Sequence, residues 1–480
     1  MLSKVEIRWI WLLSALYIIT NAVCIYFEFY FFNLIPAILV VFLFTLLSIE
    51  KVFWFIVFCT PLSLNLEKLD LGGIGMFVPT EPILFLIMVL FIIKLFHRFD
   101  YDKKVLMHPI TLAILFQLIW MTITTFTSVR PIVSLKFLIS RLWFIITFYF
   151  IAIQIFRNPE KIRQFLWVYI IPMTFVIIYT VINHYFHDFD DKPSHFVMKP
   201  FFKDHTSYGA ILVMLLPALV YLFYHYDKLS IKFYTGVLLV IYIIGIIFSY
   251  TRAAWLSLAG AIVLWMIYKL KIKFQVLVVG ALVIFFFLAA SWSQIMMKLE
   301  QNREESSSNF TEHIQSMSNI SSDASNLERI NRWESAFKMF KEKPIFGWGP
   351  GTYMFEYAPF QHSQSLTIIS TNAGKLGNAH SEYIGPLAET GILGSLSFIL
   401  IIILVFVYAS RIYHRLPNGK DKALILSLII GFSTYIAHGF MNNYLDTDKA
   451  SAPFWGFIAV FVAYDVYQRG LMGKSNPHQG

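Results

Sequence analysis

The sequence predicts an all-α, polytopic integral membrane protein with about twelve to fourteen spanning helices. Three observations predict it. Only 14% of the 480 residues are charged, against 58% hydrophobic and 18% aromatic, whereas a soluble globular protein carries about 25% charged residues. Apolar runs of about seventeen to twenty-two residues recur along nearly the whole chain, each long enough as a helix to cross a hydrocarbon core of about 30 Å. The basic residues fall in short clusters between these runs.

The expected spans are 9–26, 31–48, 51–65, 80–97, 108–126, 137–156, 163–184, 208–225, 232–249, 252–269, 273–291, 388–409, 422–440 and 453–468. Lys4 with Arg8, Arg98 with Lys103 and Lys104, Arg157 with Lys161 and Arg163, Lys269 with Lys271 and Lys273, and Arg411 with Arg415 all fall on alternate connections. Positive charge marks cytoplasmic loops, so both termini are expected inside, with about twenty Lys and Arg there against about nine in the short outer loops. The chain then divides into N-terminal membrane helices (1–291), one large extracytoplasmic loop (292–387) and C-terminal membrane helices with a short cytoplasmic tail (388–480).

The formal net charge of +9 is accounted for by these topology signals, and nucleic acid is not an expected partner. Cys24 and Cys59 both lie in apolar runs, where a cysteine behaves as a small buried hydrophobe. No disulfide framework or metal spacing is present. The first apolar run has no small-x-small cleavage site after it and reads as an uncleaved first helix.

Within the large loop, 301–326 is polar and short of apolar anchors. From Leu327 to Lys341 the pattern turns helical, and Ile330, Trp333, Phe337 and Phe340 share an arc of about 80°, a face expected to lie against membrane or helix bundle. Arg329 sits about 20° outside that arc and is placed to face a cavity edge. Arg332, about 80° away, is expected to meet water; it is counted among the candidate substrate-binding residues. Pro344 ends the helix, and Gly347, Gly349 and Gly351 then turn the chain. This is punctuation; the Gly-Lys-Ser/Thr of a phosphate loop is missing.

Several polar residues stand where charge is costly. Arg252, in SYTRAAW, sits at the outer junction of two spans, either as a snorkelling anchor or as a ligand for an anionic group, for which the planar guanidinium fork is suited. Lys136 and Arg141, at the start of the sixth span, repeat that signal more weakly. His380 lies just before a membrane helix between Asn378 and Glu382. It is either a hydrogen-bonded loop residue or a base for an attacking hydroxyl, with nearby arginines to neutralise a departing diphosphate. Asp188 and Asp190 form a D-x-D pair of the kind that can hold a divalent cation, but read as solvated loop charges. Lys203, Asp204 and His205 make a further polar cluster at the start of the eighth span, of undetermined role.

Taken in order, TRAAWLSL, ERINRWESAFKMFKEKPIFGWGPGTY and NAHSEYIGPLAETGILG, arranged around one large outer loop, resemble the bacterial O-antigen ligase and O-antigen polymerase superfamily, most strongly from Lys232 to Arg411. The resemblance implies a C-type glycosyltransferase architecture in the bacterial cytoplasmic membrane, with the active site facing outward. It carries over three catalytic positions: Arg252, Arg329 and His380. Where the family often has Asn after the histidine, this chain has Ser381. Glu389 matches a recurring family glutamate and is expected to hold structure.

The same resemblance implies transfer of a glycan from undecaprenyl diphosphate to an acceptor hydroxyl, with inversion and no nucleotide sugar. No cofactor and no metal are expected. The partners implied are the lipid-linked donor, a lipid A-core or other glycan or protein acceptor, and membrane lipids. His380 would activate the hydroxyl, or bind phosphate when protonated. Lys136, Arg141, Lys203, Arg332 and Glu382 are the expected substrate-binding residues. A repeat-unit polymerase, a protein O-oligosaccharyltransferase and a transporter of lipid-linked glycans are the alternatives. A transporter would leave two similar halves, and none are visible.

Overall fold

Thr60-Pro61 settles the first departure from the expected spans. The computed structural model describes residues 4–27, 48–65, 77–97, 101–272, 286–287, 290–291, 324–361 and 377–468. The chain divides into two units, Met1–Phe55 and Ile56–Gly480. The first holds α1 (Lys4–Tyr26) and the start of α2 (Ile49–Cys59). The run 51–65 is therefore helical only to Cys59. Proline has no N–H and disfavours helix in the residue before it, and Leu64–Asn65 pair instead with Phe77–Val78 as a two-stranded antiparallel ribbon. The expected spans 31–48 and 273–291 lie almost wholly outside the described residues, as do 292–323 and 362–376 of the large loop.

The protein is an all-α polytopic membrane protein. Among the described residues eight helices are long and apolar enough to span: α3 (Thr80–His97), α4 (Pro109–Phe126), α5 (Pro131–Ile155), α6 (Pro159–Tyr185), α7 (His205–His225), α8 (Leu229–Ile247), α11 (Gly385–Arg415) and α13 (Asp448–Tyr467). Three more helices of eighteen or nineteen residues lie between them in sequence among the described residues: α9 (Arg252–Lys269), α10 (Ala324–Glu342) and α12 (Lys420–His438). α9 and α12 fall where the spans 252–269 and 422–440 were expected, with charged residues at their ends.

The bundle has two chemically distinct ends. At one, Lys420 Nζ meets Asp227 Oδ2 at 3.0 Å, Tyr464 donates to Asp421 at 3.1 Å, and Gln468 donates to the Arg157 carbonyl at 2.9 Å. At the other, Thr251 donates to the His205 carbonyl at 2.9 Å and Glu382 N donates to Gly439 O at 2.9 Å. α7, α8 and α9, and likewise α11, α12 and α13, therefore alternate in direction.

α13 lies innermost, packed against α5, α7, α11 and α12. Its residues are 89% buried although its mean hydropathy, 1.3, is the lowest of the eight spans. α8 is the reverse, with a mean hydropathy of 2.1 and 22% of its residues buried. Apolar surface on α8 is solvated by lipid, so hydrophobicity does not mark the interior here. Polar groups at the start of α13 are met by protein: Asp448 Oδ2 accepts from Ser63 and Thr80, each at 2.6 Å. Lys449 Nζ donates to the Ser63 carbonyl at 3.1 Å and lies 3.4 Å from Asp448 Oδ1.

α11 is one helix in sequence but kinked at Gly391, with φ 68° and ψ −168°. A Cβ there would run into the carbonyl of Ile345. The kink receives the glycine-rich segment: Ile392 N donates to Pro344 O at 3.0 Å, Trp348 N to Ala388 O at 2.9 Å and Gly349 N to Glu389 O at 2.8 Å. Gly347, Gly349 and Gly351 all have positive φ, so the segment is the turn-maker its composition predicts.

Candidate active site

α10 is held against the kinked start of α11 by a small core of Ala336, Met339, Tyr353, Tyr357, Ala379 and Ala388. Its buried face runs through Glu328, Arg332, Ser335, Ala336 and Met339. The apolar arc lies elsewhere: Phe337 is 44% exposed, while Trp333 packs edge-on against Phe440 at 5.6 Å. Small and polar residues make the helix contact and large apolar ones are left to the surroundings, the usual division in a membrane.

Arg332 does not meet water. Its Nε donates to Glu328 Oε1 at 2.8 Å, its Nη1 donates to Asn378 O at 3.0 Å, and its guanidinium covers the Tyr357 ring at 5.4 Å. It is a strut between α10 and the histidine loop, and its charge is compensated one turn back on the same helix. That loop is tight. His380 takes a left-handed conformation, φ 49°, stabilised by Asn378 Oδ1 accepting from the His380 N–H at 3.1 Å. Ser381 Oγ then accepts from Tyr383 N and Ile384 N, both at 3.3 Å, at the start of α11.

Arg329, Arg332 and His380 come together. Burial first, then the charges of Arg332 and Arg329, pushes His380 down to about 3, with Asp204 pulling the other way. His380 is a neutral imidazole at physiological pH. Arg329 is half-buried and its charge also reaches His205, His438 and Tyr444. His438 in turn lies against the main chain of Ala253, which brings the first turn of α9, with half-buried Arg252, to the same neighbourhood. Arg329 and His380 are thus neighbours, and the main chain next to Arg252 meets His438, whose surroundings Arg329 also reaches.

The segment 439–447, between α12 and α13, joins this neighbourhood to the rest of the polar end. Glu382 Oε1 accepts from Tyr435 at 2.8 Å, Tyr444 N at 2.7 Å and Leu445 N at 2.9 Å. Burial raises the Glu382 carboxyl while Arg141 opposes the rise. Its first task is therefore to hold this turn, where substrate contact was expected. Arg141 Nη1 donates to Leu445 O at 3.2 Å. Arg141, Glu382 and Glu389, with Trp120 and Phe137, line a cavity of about 40 Å³. Glu389 Oε1 accepts from Tyr353 N at 3.1 Å and its carboxylate also takes the Gly351 N–H, so it secures the glycine-rich turn.

The remaining candidates stand apart. Lys136 is exposed on α5 and has no polar partner among the described residues. Lys203 is exposed, 5.9 Å from the Phe77 ring and within charge range of Asp446, which Arg141 also reaches. Asp188 and Asp190 are exposed in a separate turn; among the described residues no group of three or more His, Cys, Asp or Glu side chains could hold a metal ion.

Sequence reading missed His438, Tyr444 and Asp446. The signal was HGFMNNYLD, a polar stretch between two apolar runs on an expected outer connection.

An uncharacterized protein of Haemophilus influenzae is 25% identical over 136 residues, which is 28% of this chain and 33% of that protein. The match therefore spans about a third of the length of that relative. A family model described as O-antigen ligase matches residues 237–399, a stretch that holds Arg252, Arg329, His380 and Glu389 but not Lys136, Arg141 or Lys203. By that match, the segment 237–399 of this chain is similar to the O-antigen ligase family.

Proposed function

We propose that the protein transfers a glycan from undecaprenyl diphosphate to an acceptor hydroxyl on the outer face of the bacterial cytoplasmic membrane, with lipid A-core as the favoured acceptor. What supports this reading is the match of 237–399 to the O-antigen ligase family together with Arg329 beside neutral His380, both within that segment, as is Arg252. The sugar–diphosphate bond already holds the free energy for transfer. What the protein supplies is placement of two substrates and stabilisation of charge on the departing diphosphate. Arginine forks suit that charge.

Attack on the anomeric carbon from the face opposite the diphosphate inverts its configuration. Guanidinium groups stand where a divalent cation would otherwise be needed, so transfer proceeds without added metal. Arg329 and His380 lie on a connection whose neighbouring spans end, on the opposite side, in the basic clusters Lys269–Lys273 and Arg411–Arg415, which supports an outward-facing site.

A deletion strain tests the reading. Polymer accumulating on its lipid carrier while lipid A-core stays bare supports ligation, and complementation by Arg252→Ala or Arg329→Ala should fail with the protein still in the membrane. Single repeat units capping lipid A-core would point to polymerisation instead. Loss of transfer in chelator, restored by magnesium or manganese, would overturn metal independence.

A further inference from the structure

The glycine-rich turn that follows α10 carries two large apolar side chains directed away from the protein. Ile345 is 56% exposed and Phe346 42%. Facing water, such a pair would be an apolar patch without a partner. Its neighbours identify what covers it.

Phe346 stacks on Trp120 of α4, with ring centroids 5.6 Å apart and planes 13° from parallel. Trp120 lies six residues inside the end of α4 at Phe126, which is about 9 Å along the axis at a rise of about 1.5 Å per residue. The exposed apolar side of α4 runs through Phe116, Ile119, Ile123 and Phe126, so lipid reaches past the level of Trp120 on that helix. On α11 the exposed apolar strip starts at Ile392 and Leu393. The turn joins the head of that strip, where Ile392 N donates to Pro344 O at 3.0 Å and the Ile345 carbonyl packs on Gly391. Trp120 Nε1 donates to Thr390 O at 2.8 Å and ties the two helices together at the same level.

Irregular backbone at membrane depth is tolerated where protein satisfies its polar groups. Here Gly347 N donates to Lys343 O at 3.1 Å, Trp348 N to Ala388 O at 2.9 Å, and Val129 N to Trp348 O at 3.0 Å. Lys343 Nζ lies 4.3 Å from the centre of the Trp348 ring, on a stem long enough to hold its charge at the headgroups. Lysine and tryptophan beside an apolar tip are the residues that anchor chains at a membrane interface.

We infer that residues 343–348 form a re-entrant turn seated in the leaflet at the Glu382 end of the bundle, with Ile345 and Phe346 among the acyl chains and Lys343 turned toward lipid phosphate. The partner is the bilayer itself, because the turn continues the lipid-facing surfaces of α4 and α11. The turn directly follows α10, so its seat in lipid sets the height of the helix that carries Arg329.

The test uses the full chain with Cys24 and Cys59 replaced, in nanodiscs of phosphatidylethanolamine and phosphatidylglycerol. An NBD fluorophore is attached at Ile345→Cys, with Leu396→Cys as the lipid-facing reference and Lys341→Cys, on the exposed end of α10, as the aqueous one. Lipids carrying a nitroxide near the top of the acyl chain should quench the probe at 345 about as strongly as at 396, and aqueous iodide should quench it at 341 alone. Loss of the 345 signal to iodide would overturn the inference. Indifference of that probe to both quenchers would overturn it too, since protein, such as a second copy of the chain, would then cover the turn. Phe346→Cys, read in the same way, answers the question should Ile345→Cys fail to fold.

Discussion

Arg332 Nε donates to Glu328 Oε1 at 2.8 Å across one turn of α10, with both side chains less than a tenth exposed. The pair separates two arginines only three positions apart: one is neutralised inside the protein, the other stands beside His380. Arg332→Ala leaves Glu328 buried without its countercharge and should destabilise the fold by about 3–5 kcal/mol. Arg329→Ala should leave thermal stability close to wild type and remove transfer. Melting temperatures in one detergent check the contrast, and equal losses in the two variants would refute it.

The proposed outer placement of α10 is tested by labelling. In a variant with Cys24 and Cys59 replaced, Glu342→Cys should react with an impermeant maleimide on intact spheroplasts, and Asn418→Cys only after permeabilisation. The reverse pattern would invert the threading, since the basic ends of α9 and α11 set it.

Glu382 gathers its three donors on a single oxygen. Glutamine can present its carbonyl oxygen to the same three groups, so Glu382→Gln should retain most stability and transfer. Glu382→Ala strands three donors at about 1–3 kcal/mol each and should lower the melting temperature by many degrees. A stable, active alanine variant would mean that the 439–447 turn does not depend on this residue.

His380 gives the protein an acid-side weakness with a definite sign. Its folded-state value, about 3, lies below the ordinary 6.5, so between these limits the unfolded chain binds more protons than the native one. Stability is full above about pH 6.5 and declines as pH falls toward 3. His380→Asn should flatten that part of the melting-temperature profile and leave the neutral-pH value nearly unchanged. An unaltered slope would assign the titration elsewhere.

Gly391 allows one further prediction. Its φ of 68° and the Ile345 carbonyl beside it leave no room for a side chain. Gly391→Ala should loosen the glycine-rich turn and expose new protease sites in 344–353, measurable by limited proteolysis in nanodiscs.

The apolar runs of the sequence located most spans well, because length and hydropathy alone decide whether a helix can cross lipid. The expected run 163–184 lies inside α6, Pro159–Tyr185, and 80–97 coincides with α3, Thr80–His97. The inner and outer faces were another matter. In α10 the arc of Ile330, Trp333, Phe337 and Phe340 was expected against membrane or helix bundle alike, while Glu328, Arg332 and Ser335 form the buried side. Lipid is as apolar as leucine, so polarity carries little information about which side meets protein. A charge interrupting an apolar run, as at Arg252, is the kind of signal a sequence does display. Partners distant in sequence were not legible: the donors to Glu382 come from Tyr435, Tyr444 and Leu445, and periodicity within one helix cannot report them.

The burial of Asp448 and Lys449 bears on how the protein is made. α13 leaves the ribosome after the segments that carry its partners, and it would enter lipid alone only at the cost of two charges. The hydroxyls of Ser63 and Thr80 that receive Asp448 were synthesised nearly four hundred residues earlier. Insertion of α13 is thus a docking step into a vestibule already prepared by the nascent bundle. A chain split within the Leu416–Gly419 connection should accordingly assemble from two co-expressed fragments, whereas the C-terminal fragment expressed by itself should be degraded.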